Sequence, residues 1–553
     1  IVSEEYKFWK LISGKKFLNQ NLIQLDKRLL KNFYLNKGYY NVQINSSFAK
    51  ILDDNKFELI FNINANEKIF FNDLELVLPV DYDQANFIDL IDILNNYQGE
   101  HYSINAIEEI LDEIDEISIN EQYKTINASV LEKIENNKID IKFTIKEADK
   151  FLIKRINIFG NNVTRENVIR NQFEIDEGDI FNDILQKKSI NNLKSLNFFK
   201  SVNSEVLTDE ITNDKIINVT VEEKATGEIT AGAGVGTSGG SFAFGVKENN
   251  FLGKGIGLST NLTVTAESVK GQLSVVNPNF LDSDKSISFN LESAEYDNLK
   301  DFGYKTNKTG FSIGTKFEYY DDFFLGIGSS NFYEKIETNS TASVRQKTQE
   351  GDYYDSFLKL SFNLDKRNQK FQTSKGYRSY YSIDLPLVSK TNSLKNTYNY
   401  NFYKELYDQN VSNISLYLQN SFSLSGDDIK LSERLYIPSG KLRGFERGKV
   451  GPKDGNDFIG GNYLTTLNLS STLPQILENS QNTDFLVFMD VANIWGVDYD
   501  SSLDNSNSIR SSVGIGMDWF TPIGPLNFSF AHPITKASGD KTETFRFNLG
   551  TTF

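Results

Sequence analysis

From about residue 226 to residue 553, short segments of the chain alternate apolar residues with polar or small ones. In VGIGMDWF, for example, Val513, Ile515, Met517 and Trp519 occupy every second position. Alternation with a period of two is typical of a β-strand whose two faces meet different surroundings. About 16 such segments of roughly ten residues follow one another, which is the signature of a transmembrane β-barrel. The pattern therefore predicts an antiparallel barrel of about 16 strands over residues 226–553.

Hydropathy favours strands over helices as the elements that cross the membrane. Aromatic residues make up 13% of the chain, the mean hydropathy is −0.40, and no apolar run is long enough for a transmembrane helix. A barrel presents its lipid-facing residues in alternation, so averaged hydropathy does not register them. A soluble β-sandwich or propeller is the alternative. The absence of a regular blade repeat and the aromatic Phe553 on the last alternating segment favour the barrel.

Charge and composition argue against several classes of function. The formal net charge of −16 is the opposite of the basic excess that nucleic-acid binding needs. The chain has no Cys, and its two histidines, His101 and His532, are far apart in sequence. This composition argues against a thiolate or histidine metal site and against a Ser-His-Asp triad. We therefore expect a protein that is not an enzyme and that has no metal or other cofactor.

Residues 1–225 follow a different pattern, in which amphipathic helices alternate with short strands and one unit recurs. The strands FELIFNIN, IDIKFTIK and KIINVTVE each close a unit, and their central residues Phe61, Phe143 and Val219 are 82 and 76 residues apart. A period of this kind indicates a repeat of small modules. The last unit has the order β-α-α-β-β, and Thr164 in TRENVIRNQF is predicted to cap its first helix.

These patterns divide the chain into three α+β modules and a barrel. The first module lacks the opening strand of the complete unit, so we expect the chain to be a fragment of a longer protein. The predicted divisions are a partial module at 1–67, modules at 68–149 and 150–225, and the barrel at 226–553 with a long loop at about 425–459.

The long loop contains KLRGFERGKVGP, a glycine-rich and cationic stretch in which Phe445 is predicted to be exposed. A barrel of about 16 strands encloses a lumen wide enough to hold such a loop. A cation there needs a counter-charge, because burying an unpaired charge is unfavourable. Alternation in FLVFMDVANIW turns Asp490 inward, so a pair between Arg443 and Asp490 is predicted to hold the loop. The alternative is a solvated basic loop that faces lipopolysaccharide phosphates.

The first and last strands must pair to close the barrel, and the first strand, GEITAGAGVG, is rich in glycine. Each interior glycine weakens a strand by about 0.5–1 kcal/mol relative to alanine. This composition is consistent with two interpretations. The seam between the two strands opens sideways, or the glycines only permit strong curvature of the strand. The residues predicted to form this seam are Ile229, Gly232, Gly234, Gly236, Phe547, Leu549, Gly550 and Phe553.

LRGF, at 442–445, resembles the VRGF/Y motif of the BamA family, the core of the bacterial machinery that assembles outer-membrane β-barrels. The similarity continues through VGPKDGNDFIGGNYL and through the C-terminal segment from GIGMDWF onward. KENNFLGKG and NPNF also resemble family motifs, and the N-terminal modules are similar to the family's periplasmic POTRA repeats. The resemblance covers essentially the whole chain and implies POTRA repeats of order β-α-α-β-β followed by a 16-stranded barrel.

The resemblance implies a function in folding and inserting other outer-membrane barrels. POTRA edge strands would capture substrate strands by β-augmentation, and the seam would accept them. In this interpretation the loop motif, formed by Leu442, Arg443, Gly444 and Phe445, docks in the lumen beside Asp490. The chain departs from the family's F-x-D-x-G pattern at Ala492, where the family has glycine.

The resemblance also implies partners and a location. Arg170 and Glu177 match positions of the last POTRA repeat that contact the BamD lipoprotein, although ordinary surface charges are the alternative. The expected partners are unfolded outer-membrane β-barrel substrates, BamD-like and other accessory lipoproteins, and outer-membrane lipid and lipopolysaccharide, without nucleic acid. The expected location is the bacterial outer membrane, with the POTRA modules in the periplasm.

Other functions share parts of this pattern. A related translocation-and-assembly barrel or a two-partner secretion pore also carries POTRA units and the loop motif, but the C-terminal similarity and the pair Arg170 and Glu177 favour assembly. A passive porin would need neither the modules nor a plugging loop. An outer-membrane phospholipase would need a serine and an orienting Asn or Asp near His532.

Overall fold

The structure is a computed structural model, and it describes residues 20–51, 57–80, 82–120, 126–147, 151–236, 239–299, 302–340, 342–369, 373–407, 410–438, 440–455, 457–473, 483–503, 508–521 and 524–549. Its helices are α1 (Gln20–Leu35), α2 (Ile88–Tyr97), α3 (Ile104–Asn120), α4 (Glu166–Arg170), α5 (Asp183–Ser195) and α6 (Val344–Thr348). Within the described residues, no helix combines the length and the apolar character that a membrane-spanning helix needs.

The N-terminal strands are β1 (Gln43–Ile51), β2 (Phe57–Asn64), β3 (Phe70–Val77), β4 (Ile126–Glu135), β5 (Lys138–Glu147), β6 (Ile153–Phe159), β7 (Phe199–Thr208) and β8 (Lys215–Glu223). The remaining strands are β9 (Gly227–Gly236), β10 (Gly239–Phe251), β11 (Ile256–Thr265), β12 (Ser268–Asn277), β13 (Lys285–Asn298), β14 (Tyr304–Tyr320), β15 (Phe323–Thr338), β16 (Gly351–Asp365), β17 (Gly376–Val388), β18 (Ser393–Tyr407), β19 (Asn410–Ser423), β20 (Lys453–Asp454), β21 (Asp457–Phe458), β22 (Tyr463–Thr472), β23 (Thr483–Trp495), β24 (Arg510–Thr521), β25 (Gly524–Thr535) and β26 (Phe545–Leu549).

The chain divides into two compact units. The first comprises residues 1–159, 173–193 and 202–220, and the second comprises residues 160–172, 194–201 and 221–553.

The N-terminal modules contain three small sheets, with the strand orders β1-β2, β3-β5-β4 and β6-β8-β7. In the two three-stranded sheets the first strand of the module runs parallel to its last strand, β3 beside β5 and β6 beside β8. Parallel neighbours need a crossover connection, which the two helices of each module supply. The predicted order β-α-α-β-β is therefore confirmed for these two modules.

A large apolar core of the first unit is centred on one face of α3 and one face of β5. Isoleucines recur on α3 at helical spacing, and apolar residues alternate on β5, as expected for a helix packed on a sheet. Removal of one such buried side chain costs about 2–5 kcal/mol. The buried residues are Ile107, Ile110, Ile114 and Ile117 of α3 and Ile139, Ile141, Phe143 and Ile145 of β5.

The first two modules share this core and are joined by hydrogen bonds as well. The Tyr40 hydroxyl donates to Glu132 at 2.5 Å, and His101 Nε2 lies 3.1 Å from the carbonyl oxygen of Asn36. The hydrogen bond to Glu132, with burial and the carboxylate charge, raises the pKa of Tyr40 to about 12. His101 thus takes part in a structural contact between two modules.

Thr164 does not cap α4, contrary to the prediction. The helix begins at Glu166 with Arg165 in the cap position and without a side-chain cap bond. Thr164 is buried, its hydroxyl accepts a hydrogen bond of 2.9 Å from Asn250 Nδ2, and its backbone N–H donates to Glu223 at 2.6 Å. Burial acts to raise the pKa of Glu223, but hydrogen bonds from Thr164 and neighbouring amides hold that pKa below its ordinary value. The sequence pattern missed these long-range partners.

The second unit contains a closed barrel of 16 strands, in which β9 to β19 and β22 to β26 follow one another and β26 returns to β9. Consecutive strands pair antiparallel, as for β9 with β10 and β26 with β9. On β23, Phe488 and Asp490 are buried whereas Val487 and Met489 are exposed. The alternation therefore separates an apolar outer face from a polar inner face.

Connections leave the barrel at two ends. The end at which β9 begins, at Gly227, is termed the near end, and it carries the turns at 252–255 and 278–284. The opposite, far end carries the connection between β19 and β22, which spans residues 424–462.

Candidate functional site

The connection at 424–462, termed the lumen loop, folds back between the barrel walls. Inward-facing side chains from separate strands reach its backbone: the Tyr304 hydroxyl of β14 donates to the Leu431 carbonyl at 3.1 Å, and Asn468 Nδ2 of β22 donates to the Lys441 carbonyl at 2.8 Å. The loop therefore occupies the lumen. Its buried apolar residues are Ile429, Leu431, Leu435, Ile437, Leu442, Phe445, Val450, Phe458 and Ile459.

Arg443 and Asp490 form a two-pronged ion pair between the lumen loop and β23. Arg443 Nε lies 2.8 Å from Asp490 Oδ2, and Arg443 Nη2 lies 2.8 Å from Oδ1. The backbone N–H of Arg443 donates to Oδ2 at 3.0 Å, and Asn468 Nδ2 donates to Oδ1 at 2.8 Å. Asp490 is fully buried, so four donors replace the water that its carboxylate would bind in solution. The paired fork fixes the direction of the arginine as well as its distance.

The residues around this ion pair restrict the conformation of the loop at Arg443 and Gly444. The Arg443 guanidinium carbon lies 3.4 Å from the ring centroid of Phe488, which adds a cation–π contact. Gly444 has a φ of +89°, a backbone conformation that favours glycine, and an added Cβ would lie 3.1 Å from the Cβ of Ala531. Glycine is thus the residue that lets the backbone turn and approach β25 at this point.

Phe445 is buried, with 1% of its surface exposed, which corrects the prediction of an exposed residue. Its side chain belongs to an apolar cluster that includes Leu442, Val450 and Ile494. Its carbonyl oxygen accepts a hydrogen bond of 2.7 Å from Arg546 Nη2 of β26. The surrounding glycines and cations suggested a solvated loop, but enclosure by the barrel buries the ring.

A second charged cluster, at the beginning of the lumen loop, escaped the sequence pattern. Lys430 is buried, and its Nζ lies 2.9 Å from Glu334 of β15, beside Asp355 of β16, and 3.5 Å from Glu433 of the loop. Three carboxylates from three chain segments thus surround one ammonium group. Alternation turns Glu334 and Asp355 inward, but their pairing with Lys430 depends on the path of the loop.

Two further buried arginines hold connections at the far end. Arg434 of the lumen loop pairs with Asp498 and donates to Asn462 Oδ1 at 3.2 Å. Arg510 of β24 binds both carboxylate oxygens of Asp540 at 2.9 and 3.2 Å. Asp540 also accepts from the backbone N–H of Gly451 at 3.2 Å, so the connection between β25 and β26 is tied to the lumen loop.

The predicted seam brings β9 and β26 together near the far end. Asn548 pairs with Gly236 and Leu549 pairs with Val235, and the Phe547 ring stacks on Phe528 with centroids 6.5 Å apart. Ile229 is exposed on the outer face of β9, and Gly232 and Gly234 lie on the same strand. Gly550 and Phe553 lie outside the described residues.

Arg170 and Glu177 each make contacts within their own part of the last N-terminal module. Arg170 Nε lies 2.7 Å from Glu166 Oε1, one helical turn away on α4. Glu177 accepts a hydrogen bond of 2.9 Å from the backbone N–H of Ile156 on β6. Glu177 therefore takes part in the structure of the module and is more than a surface charge.

Residues 250–553 match the Omp85 superfamily domain, and residues 7–66 and 151–224 match the POTRA family, described as a surface antigen variable number repeat. The chain is similar to the outer membrane protein assembly factor BamA of Neorickettsia risticii, with 24% identity over 100% of this chain and 75% of the relative. Its fold resembles BamA from Haemophilus ducreyi lacking POTRA domains 1–3, with a TM-score of 0.66, 23% identity, and coverage of 87% of this chain and 100% of that one. It also resembles CdiB from Escherichia coli, with a TM-score of 0.51, 12% identity, and coverage of 96% and 98% of the two chains.

Proposed function

Because the chain belongs to the Omp85 superfamily, we propose that it folds other β-barrel proteins and inserts them into the bacterial outer membrane. Its location is the outer membrane, with the POTRA modules in the periplasm. The near end of the barrel therefore faces the periplasm, and the far end faces the exterior. The BamA of Neorickettsia risticii, which matches 100% of this chain, is an outer membrane protein assembly factor.

The observation that carries the mechanism is the lumen loop, held across the barrel interior by Arg443 and Asp490. A lumen occupied in this way suits a protein that works at its wall and its periplasmic face better than one that conducts solutes. The driving force lies in the substrate, because burial of its lipid-facing residues and completion of its hydrogen-bond ladder both favour insertion. In our proposal no catalytic reaction and no cofactor take part.

Substrate strands are captured, in our proposal, at the edges of the module sheets and at the seam. The outer edge of β3 borders a cavity of about 470 Å³ that is lined by Leu74, Leu76 and Ile91, and extended segments bind to such edges by adding a strand. The seam between β9 and β26 accepts the strands. The proposed modules are 1–67, 68–149 and 150–225, followed by the barrel at 226–553.

We also propose partners for this chain. Arg170 and Glu177 are assigned to the contact with a BamD-like lipoprotein, beside other accessory lipoproteins. The partly exposed position of Arg170 on α4 supports this assignment, whereas the hydrogen bond that Glu177 accepts from Ile156 gives Glu177 a structural role too. Outer-membrane lipid and lipopolysaccharide surround the barrel.

Reconstitution tests the function. The full chain is placed in proteoliposomes, and the folding of a urea-denatured outer-membrane barrel is followed by its change in gel mobility. We expect faster folding with the intact chain, and loss of that acceleration with Arg443→Ala. Arg447→Ala is the matched control, because Arg447 lies in the same loop but is largely exposed and is 3.7 Å from Glu267.

Secretion of polypeptides is the alternative, as in a translocation-and-assembly barrel or a two-partner secretion pore. Relatives that match 99–100% of this chain are BamA assembly factors, which favours assembly over secretion. Export of a secreted chain into the liposomes, without faster folding of the barrel substrate, would overturn the proposal. An equal loss with Arg443→Ala and Arg447→Ala would separate the activity from the ion pair.

A further inference from the structure

The motifs KENNFLGKG and NPNF form two turns at the near end of the barrel, one between β10 and β11 and one at the end of β12. In each turn a leucine has a left-handed backbone: φ is +56° at Leu252 and +56° at Leu281. This conformation is unfavourable for a bulky residue, and glycine or asparagine usually occupies it. Strain of this kind persists where the surrounding structure imposes it, which makes the two turns candidates for a function.

The side chains of both strained leucines are exposed at the protein surface. Leu252 is 68% exposed and Leu281 is 81% exposed. Phe251 and Phe280, which precede them in the chain, are exposed as well. Contiguous exposed apolar residues mark a surface that contacts a membrane or another protein.

The strands that lead into these turns favour lipid as the contact. On β10 the outward residues Phe244 and Val246 are exposed, and beyond an irregularity Phe251 pairs with Ile256 in the last step before the turn. On β13, Lys285 lies 6.0 Å from the ring centroid of its outward neighbour Phe317. Lysine and aromatic residues at the rim of an apolar band are typical of the membrane–water interface. The turn leucines thus continue a lipid-facing surface.

The polar groups of the same turns bind residues 160–172, termed the connecting segment. The Gly253 carbonyl accepts a hydrogen bond of 2.8 Å from the backbone N–H of Arg165. Asn250, which is buried, donates to Thr164 Oγ1 at 2.9 Å and accepts from the Gly255 N–H at 2.7 Å.

The second turn binds the same segment through a carboxylate. Asp282 Oδ1 accepts from Asn167 Nδ2 at 2.9 Å and from Asn171 Nδ2 at 3.3 Å. The first turn also packs closely against α4, because an added Cβ at Gly255 would lie 2.9 Å from Val168. Each turn therefore combines a polar side that holds α4 and the residues before it with an exposed apolar side.

We propose that Leu252, Phe280 and Leu281 insert into the periplasmic leaflet of the outer membrane, among the phospholipid head groups and the adjoining acyl chains. The two turns then anchor the connecting segment, with α4, at a constant depth beside the membrane surface. This inference rests on the membrane location of the barrel and is independent of the assembly activity.

Site-directed spin labelling tests the insertion. The chain has no cysteine, so each single-cysteine variant carries one nitroxide. Leu252→Cys and Leu281→Cys are labelled in the full chain and placed in phospholipid nanodiscs, and collisions are measured with oxygen, which partitions into lipid, and with a nickel chelate, which stays in water. Ile313→Cys, on the outer face of β14, is the lipid control, and Ile211→Cys, in the last module and 92% exposed, is the water control.

We expect both turn labels to collide with oxygen more often, and with the nickel chelate less often, than the Ile211 label does, with the Ile313 label as the limit for full burial in lipid. Nickel access equal to that of the Ile211 label would overturn the inference in favour of water. Protection from both reagents would overturn it in favour of a protein partner. Nickel access at the Ile313 label would instead contradict the membrane location itself. Phe280→Cys replaces either leucine variant that fails to show the gel mobility of the folded barrel.

Discussion

The two interiors of this protein differ in the charged side chains that they bury. The core of the first two modules is apolar and contains residues such as Ile110, Ile139 and Phe143, whereas the barrel lumen buries the charged residues Lys430, Asp490 and Arg510 beside the apolar residues of the lumen loop. The modules face water, so their apolar residues turn inward. The barrel faces lipid, so apolar residues of its strands turn outward and charged residues are held inside. Whether water or lipid surrounds a part of the protein thus determines which side chains its interior can hold.

The difference also determines how each interior responds to change. An apolar core is non-directional and tolerates swaps that conserve volume. A buried ion pair depends on both partners, because removal of one leaves a charge that has neither water nor a counter-charge. The lumen should therefore be sensitive to changes that conserve the volume of a side chain but remove its charge.

The largest effect is expected for Asp490→Ala. It leaves the Arg443 guanidinium without its counter-charge, and removal of one partner of a buried pair costs about 3–5 kcal/mol. The temperature at which the folded barrel loses its gel mobility should fall accordingly. Asp484→Ala, on the same strand and paired in register with Asp518, is the matched control and should change that temperature far less.

Exchange of the two charges distinguishes the contribution of their attraction from that of the particular side chain at each position. Arg443→Asp with Asp490→Arg should recover part of the loss seen with either single change. A double variant no more stable than the single ones would show that the pair is not what holds the lumen loop.

A slightly smaller effect is expected in the apolar interior. Ile139→Ala opens a cavity in the shared core of the first two modules, at a cost of about 2–5 kcal/mol. Hydrogen exchange of the β5 and α3 peptides should accelerate, while the gel mobility of the barrel stays unchanged. Ile139→Val, which removes one methylene, should cost only about 0.5–1.5 kcal/mol. Equal losses for the two variants would mean that the site is not close-packed.

Alkaline pH should weaken the modules moderately through Tyr40. Its pKa is raised from 10.0 to about 12, so the stabilisation is complete below pH 10 and is lost as the pH approaches 12. Protection of residues near Tyr40 and Glu132 from hydrogen exchange, corrected for the intrinsic rate, should decline over this range. Tyr40→Phe should lower that protection at pH 8 and flatten the decline. An identical decline in the variant would assign it to Tyr97, whose pKa is also raised to about 12.

The smallest effect is expected at the module surface. Lys200 and Glu222 form an ion pair of 2.8 Å in which both side chains are largely exposed. Water and salt screen such pairs, so Lys200→Ala should leave the unfolding midpoint unchanged within error. A large shift would mean that ion pairs matter outside the lumen too, and it would weaken the contrast between the two interiors.

Much of the architecture could be predicted from local patterns. Alternation correctly turned Asp490 inward and Met489 outward, because successive side chains of a strand must point to opposite faces. Helical spacing likewise places Ile107, Ile110 and Ile114 of α3 on one face of the helix, and that face is buried. The pattern failed at Thr164 and Phe445, where residues far away in the chain decide the environment.

The sequence by itself determined the repeated modules, the barrel of alternating strands and the opposite charges of Arg443 and Asp490, since these depend on local backbone geometry and residue type. Only the tertiary structure decided which charges meet. Lys430 reaches Glu334, 96 residues away, because the barrel closes and the lumen loop returns through it. The burial of Phe445 follows from the same closure. The connecting segment likewise meets the turns at Asn250 and Asp282 only in the folded chain. A periodicity records which face a residue occupies, but not what lies opposite it.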